Sequence, residues 1–466
     1  LASSSHQVEP NKHSLLGLSA PTLFVLSLAV LATSKTLAAP NLATFATMFA
    51  SSATFAQKNV LLIIADDMGL DASTCYSLGK QQALMPNIEA MCAKGLVFDN
   101  AYAAPTCSPT RATIMSGQYG FRTGVGAPVA PNGSDELSVD TFTLFDALNK
   151  TDYASNVIGK WHISGRQKGY DAPAQMGVSD YFGLYSGGIR DYFNWPAIEN
   201  GKEVQIEGYT TTVLTDRAIN WIDAQEKPWF LWLAYNAPHS PFHLPPKDLH
   251  SFDDLPDDEA AVKKNPLPYY QAMLEALDTE IGRLLASIPQ EERDNTVVMF
   301  IGDNGSPNQV TRGFYGDHKA KGTIYDSGTR VPFVVTGPGV KQGRSDAFIN
   351  TTDLYATIAG LAGAKVDSPD SIDFSPVLAG EKGKRDFVLV DHFTNRQTKG
   401  GGVYGWALRE GKYKSINPKD GAPELYNLED DPMEQNNLLA DGGTDELKAI
   451  AAKLQARRSE LLATVK

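Results

Sequence analysis

The feature that most constrains this chain is a set of short, uninterrupted apolar runs at 59–65, 156–158, 229–235, 296–301 and 331–335. Each is too short for a helix and shows no alternation of apolar and polar residues, the pattern of a strand buried on both faces. Helical patterns such as 210–224 and 269–288 lie between them, and strands alternating with helices build a largely parallel sheet covered on both sides. From about Pro376 the texture changes to short alternating segments at 403–409, 413–416 and 425–426. An amphipathic stretch follows from Thr444, with Leu447, Ile450, Ala451, Leu454, Leu461 and Val465 at helical spacing. The predicted fold is α/β: a large mixed, mostly parallel sheet with helices on both faces, plus a smaller C-terminal antiparallel sheet packed with a terminal helix. Three segments are expected: an N-terminal export or unstructured segment (1–56), the main α/β domain (57–375) and an α+β subdomain (376–466).

Charge narrows the partners. The 466 residues carry 41 Lys and Arg against 54 Asp and Glu, a net charge of −13, which excludes a nucleic-acid coat. A hydrophobic content of 42% excludes a disordered chain. An anionic substrate must then be held by a few local cations working against the overall field.

The apolar run 15–32 follows Lys12 and His13 and precedes the small residues Leu37-Ala38-Ala39 and Ala53-Thr54-Phe55-Ala56, which reads as an export signal to the periplasm or the outside. Pro21, several serines and the missing stop-transfer flank argue against a stable membrane span. A start at Met48 would instead leave the protein cytoplasmic. Of the three cysteines, Cys75 and Cys92 could bridge in an oxidising compartment or remain two thiols; no spacing resembles a zinc site, and Cys107 is left over.

Polar residues stand immediately after four of the runs: Asp66-Asp67, Lys160-Trp161-His162, Pro238-His239 and Asp303-Asn304. In open parallel sheets the carboxyl ends of the strands form the ligand side. A lone Asp after a strand is an ordinary cap or turn residue. Two acidic clusters converging on one edge need a cation, and Asp66, Asp67, Asp303 and Asn304 are hard oxygen donors suited to Ca²⁺ or Mg²⁺. The segment Cys107-Ser108-Pro109-Thr110-Arg111 reads as a helix start, with Ser108 as N-cap, Pro109 at the first helical position and Gly117 beyond the end. Cys107 then lies at the positive end of that helix beside Arg111.

Cys107-Ser108-Pro109-Thr110-Arg111 with Ser116-Gly117 resembles the signature of the type I, formylglycine-dependent sulfatases of the alkaline-phosphatase-like superfamily. Ala65-Asp66-Asp67-Met68-Gly69, Gly159-Lys160-Trp161-His162, Pro238-His239-Ser240-Pro241, Gly302-Asp303-Asn304-Gly305 and Lys321-Gly322 leading to Gly328-Thr329-Arg330-Val331-Pro332 are similar to further family blocks, in family order. The tail from Glu424 to Leu428, Asp431-Pro432 and Asn436-Asn437-Leu438 is similar to the family's closing segment, so the resemblance covers 58 to about 440.

The resemblance implies sulfate ester hydrolysis through a formylglycine made from Cys107 by a formylglycine-generating or anaerobic maturation enzyme. It implies Ca²⁺, with Mg²⁺ as an alternative, on Asp66, Asp67, Asp303 and Asn304. Arg111, Lys160 and Lys321 would neutralise the sulfate, and His162 and His239 would move protons. One hydroxyl of the hydrated aldehyde would attack sulfur with help from Asp303. His239 and Lys321 would assist the departing alcohol, and His162 would deprotonate the second hydroxyl to release sulfate. The substrate would be a sulfated small molecule or carbohydrate. Arg166, Arg190, His243 and His318 are candidates for its rim, and the segments 166–208 and 391–413 for its selectivity. A phosphonate or phosphate ester hydrolase, or a non-catalytic calcium-binding relative, are the alternatives. Where many relatives have Glu-Gly-Gly this chain has Asp326-Ser327-Gly328, and His318 and Lys319 compete with Lys321 for its role.

Overall fold

The computed structural model describes residues 57–79, 82–316, 320–394 and 404–465, all within one compact unit, Thr47–Lys466. The expected export segment, His318 and Lys319 lie outside the described residues. At the centre is β1 (Asn59–Ala65), every residue of which is buried. Its side chains alternate between two cores: Val60, Leu62 and Ile64 enter one, and Leu61, Ile63 and Ala65 the other. That two-sided burial is why the run shows no polar residue after Asn59.

β1 pairs in parallel with β7 (Trp229–Ala234) and β8 (Thr296–Gly302), and β7 pairs in parallel with β3 (Ala154–Gly159). Around this parallel centre lie β2 (Leu96–Tyr102), β4 (Tyr181–Gly183), β5 (Asn194–Glu199), β6 (Lys202–Glu207), β9 (Phe333–Thr336) and β10 (Gly343–Asn350). The ten strands run in the order β10-β2-β9-β8-β1-β7-β3-β4-β5-β6. The apolar run around 331–335 forms β9, which is antiparallel to both β8 and β2.

Helices cover both faces of the sheet. Helix Thr210–Asp223 buries Leu214, Ala218 and Ile222, four residues apart, and helix Pro266–Ser287 starts on a proline and packs against it. The C-terminal sheet is antiparallel, in the order β11 (Phe387–His392), β12 (Gly405–Glu410), β13 (Tyr413–Pro418), β14 (Glu424–Asn427). One face packs Leu389, Leu408 and Leu425 against Ala451 and Leu454 of the terminal helix Asp445–Ala463, which is capped by the Thr444 side chain. The other packs Val388, Val390 and Ile416 against Tyr102, Ile324 and Tyr325. The expected architecture holds in both sheets.

Cys75 and Cys92 form a disulfide, resolving the two alternatives left open by the sequence. Among the described residues, no helix is long and apolar enough to cross a membrane.

Candidate active site

Because β8, β1, β7 and β3 lie side by side in parallel, their carboxyl ends bring four sequence clusters to one edge. The fifth cluster arrives on helix Cys107–Ser116, all ten residues of which are buried. That helix begins two residues earlier than the sequence suggests. Thr106 is the N-cap without a side-chain bond, and Pro109 occupies the third position. A proline there loses nothing, because the first N–H groups of a helix have no internal partner. Ser108 is therefore no cap; its Oγ accepts the Val129 N–H at 3.0 Å. Gly117 ends the helix in the left-handed region at φ +68°, as expected.

Ligand atoms of Asp66, Cys107 and Asp303 all lie within 4.8 Å of one another, and those of Asp66, Asp67 and His239 do likewise. Each acid already has a cation beside it. Lys160 Nζ is 2.5 Å from Asp66 Oδ2, Arg111 donates to Asp303 Oδ2 at 2.8 Å, and Lys321 Nζ is 2.5 Å from Asp67 Oδ1. Charge balance alone therefore does not require an ion. Unused oxygens do point to one: Asp66 Oδ1 and Asn304 Oδ1 are buried without hydrogen-bond partners. Asn304 donates through Nδ2 to Asp67 Oδ1 at 2.8 Å, which leaves its oxygen without a hydrogen-bond partner. Orphaned acceptors of this kind, all oxygen, fit a hard divalent cation.

Electrostatics separates the two adjacent acids. Burial lifts the Asp66 carboxyl well above its usual range, with Lys160 opposing. Burial would do the same to Asp67, but the charges of Lys321 and Lys160 and the hydrogen bond from Lys321 outweigh it and hold that carboxyl below its usual range. Asp67 is also held in the left-handed region at φ +71°, and His162 at φ +49°; strain of this kind persists where the surroundings fix it.

His162 Nδ1 lies 3.2 Å from Cys107 Sγ, while Nε2 lies 3.2 Å from the Val129 carbonyl. A carbonyl only accepts, so Nε2 carries the hydrogen and Nδ1 turns its lone pair towards residue 107. Burial, with Lys160 and Arg111 nearby, depresses the His162 pKa, so the ring is neutral. His239 is likewise neutral, pushed by burial down to about 3, and its Nδ1–H is used on the Ser240 carbonyl at 2.7 Å. Its Nε2 is thus an acceptor, 3.7 Å from Asp67 Oδ2. Burial would lower Lys321, but Asp67 outweighs it and keeps the ammonium protonated.

A cavity of about 440 Å³ opens on this cluster, lined by Cys107, His162, His239 and Lys321 and rimmed by Arg166 and Arg190. All ten site residues named from the sequence are thus gathered at one sheet edge. His243 is not on this rim. It packs at a tilt against Tyr192 with ring centroids 4.3 Å apart and borders a separate cavity. Asp326, the departure near Lys321, faces elsewhere and binds Lys414 and the Tyr102 hydroxyl. Lys321 is held independently of it by backbone bonds from Lys321 N to Ser306 and from Gly322 N to Pro105.

Four supports escaped the sequence reading. Thr110 donates to the Asp303 carbonyl at 2.7 Å, and Tyr270 donates to the Asp67 carbonyl at 2.8 Å. The Val129 carbonyl fixes the His162 tautomer. Gly187 leaves room for the ring, since a Cβ there would lie 2.1 Å from His162 Cε1. Thr110 stands in the signature segment without its role being visible there, and the other three left no signal that the sequence reading used.

Residues 58–364 match the model of the family described as Sulfatase, and residues 313–462 that described as N-sulphoglucosamine sulphohydrolase, C-terminal. The chain is 27% identical to arylsulfatase A of Homo sapiens, over 87% of this chain and 89% of that protein. It is 24% identical to an N-acetylgalactosamine-6-O-sulfatase of Bacteroides thetaiotaomicron, over 82% and 89% respectively. Among solved structures, Ps i-CgsB in complex with k-i-k-neocarrahexaose is similar with a TM-score of 0.74 and 26% identity, covering 87% of this chain and 92% of that one.

Proposed function

This chain belongs to the sulfatase family and hydrolyses sulfate esters; on that basis we propose that it acts on a sulfated carbohydrate through residue 107, with a calcium ion on Asp66, Asp67, Asp303 and Asn304. One observation carries the site assignment: donor atoms of Asp66, Cys107 and Asp303, from three distant parts of the chain, lie within 4.8 Å of one another. The two orphaned oxygens and the all-oxygen donor set support calcium, with magnesium as the alternative. A divalent ion there supplies positive charge against sulfate oxygens. A maturation enzyme, formylglycine-generating or anaerobic, would convert Cys107 to the aldehyde. In hydrated form that aldehyde supplies two hydroxyls, one to attack sulfur and one whose deprotonation releases sulfate.

The protein's own groups divide the remaining work. Arg111 and Lys160, both fully buried, hold fixed positive charge behind the reacting group. His162 Nδ1 is placed to take a proton from the γ position of residue 107. Lys321, protonated and partly exposed at the cavity, offsets charge on the departing oxygen. His239, with its Nδ1–H committed to Ser240, lines the cavity beside Lys321 and offers Nε2 to a hydroxyl of the substrate on the side of the departing alcohol. Export to an oxidising compartment is supported by the Cys75–Cys92 disulfide.

Expression with a formylglycine-generating enzyme tests the proposal. Mass spectrometry should find residue 107 as the aldehyde, and the protein should release sulfate from sulfated sugars. Cys107→Ala should abolish release with an unchanged melting curve. Turnover retained by Cys107→Ala would refute the assignment.

A further inference from the structure

We propose that Arg166 and Arg190 read a second anionic group on the substrate, a sulfate or a carboxylate, carried beyond the ester that is cleaved. This rests on the carbohydrate sulfatase reading of the first cavity. A second cavity of about 400 Å³ adjoins the first, and the two share Arg166, Ser186, Gly188 and Arg190 as a common boundary. Together they offer more room than a single sulfated ring needs.

The chemistry of the two halves differs. Among the described residues, no acid pairs with either boundary guanidinium, although nearby Lys168 is paired with Glu136 and Arg217 with Glu199. In a chain of net charge −13, two arginines without an acid partner on the boundary shared by both cavities put local positive charge beside the site. The second cavity is lined in addition by Asp191, Asn194 and Glu203 and by the rings of Tyr170 and Tyr185, none of which lines the first. Asp191 accepts from the Phe193 N–H and Glu203 from the Tyr170 hydroxyl, so each carboxylate keeps acceptor capacity for hydroxyls. The acids would repel an anion there, whereas a neutral sugar offers them hydroxyl donors and offers the tyrosine rings its C–H face. The charged substituent therefore belongs at the shared boundary and the neutral part of the adjoining sugar against the acids and tyrosines of the second cavity.

Isothermal titration on the full chain carrying Cys107→Ala separates binding from turnover. The probes are chondroitin- and heparin-type disaccharides in pairs that differ by one sulfate, and pairs in which the uronate carboxylate is reduced to an alcohol. The more anionic member of at least one pair should bind about tenfold more tightly, as expected for charge-assisted hydrogen bonds. That preference should fall to within about twofold when Arg166→Gln and Arg190→Gln are added. Which type of pair shows the preference identifies sulfate or carboxylate as the second group. Equal affinities within every pair, no measurable binding of any probe, or a preference that survives both substitutions would overturn the inference. Desulfation by the unsubstituted, matured protein is read separately: its failure would sink the catalytic proposal, while the affinity ratios still decide this one.

Discussion

Lys160→Met is the sharpest test of how the buried charges hold one another, because methionine keeps most of the side-chain volume and removes only the charge. Lys160 Nζ lies 2.5 Å from Asp66 Oδ2 with both side chains fully buried, an attraction of about 6–7 kcal/mol at an effective dielectric of about 20. Deleting the lysine also deletes its own desolvation cost, so the net loss expected for breaking such a pair is about 3–5 kcal/mol. With about 2.1 cal/mol/K of unfolding entropy per residue over roughly 400 residues, that is a fall of about 3–6 °C in Tm. The Asp66 carboxyl already titrates above its unfolded value of 3.8. Its contribution to stability is therefore fully present below that pH and is lost as pH rises through the native value. Removing Lys160 moves the native value higher still, so the gap between variant and parent should narrow as the solution is acidified. It should also narrow in millimolar calcium, which can take over the neutralisation, and in the double variant Asp66→Asn/Lys160→Met, which removes both charges of this pair and leaves the Arg111–Asp303 and Lys321–Asp67 pairs intact. Differential scanning calorimetry with chelator, with calcium and at stepped pH measures all three. A loss that is indifferent to calcium, to acid and to Asp66→Asn would show that Lys160 acts by packing alone.

Gly187→Ala should displace the His162 ring, because the new Cβ would lie 2.1–2.6 Å from three of its atoms; kcat for sulfate release should drop severely while Tm moves little, and an unchanged kcat would deny His162 its role. Treatment with EDTA should abolish sulfate release, and calcium or magnesium should restore it better than zinc, as oxygen donors require; full activity in chelator would refute the metal assignment. Burial raises the Glu434 carboxyl to about 7, with Lys414 opposing and Asp326 reinforcing. The stability this group contributes is thus present below its unfolded value of 4.5 and lost as pH rises through about 7. The Tm difference between the parent and Glu434→Gln should accordingly shift against the parent over that window, and a pH-independent difference would contradict the burial of Glu434 as a titrating group.

The parallel centre of the sheet was legible because its strands are buried on both faces, so Leu61-Leu62-Ile63-Ile64 and Phe230-Leu231-Trp232-Leu233 appear as unbroken apolar runs. The periphery was not, for the opposite reason. Lys202–Glu207 at one edge is mostly exposed and carries Lys202, Glu203 and Glu207, while Gly343–Asn350 at the other begins on exposed Gly343 and Arg344. β2 is buried but interrupted in sequence by Asp99-Asn100. Asn100 is satisfied at a distance, donating to the Asp346 carbonyl and accepting from Arg409, a pairing that no local pattern announces. Hydrophobic periodicity reports the environment of a strand and not the presence of one.

The site was legible to the extent that its chemistry resides in side chains placed directly after strands. What stayed hidden is carried by the backbone or by empty space: the Val129 carbonyl that sets a tautomer, the missing Cβ of Gly187, and the order in which acids and cations pair. That pairing changes the case for a metal. From the sequence, three converging carboxylates seemed to need an ion for neutrality, yet Lys160, Arg111 and Lys321 already supply three positive charges to Asp66, Asp303 and Asp67. The case for an ion now rests on two oxygens, one each from Asp66 and Asn304, that are buried and bonded to nothing. Leaving such acceptors dry costs about 1–3 kcal/mol apiece, a cost that an oxygen-seeking cation removes. The same ion would compete with the lysines for the carboxylates. Cations that balance these acids would thereby become available to an anionic ester, which would account for how a chain of net charge −13 can hold one.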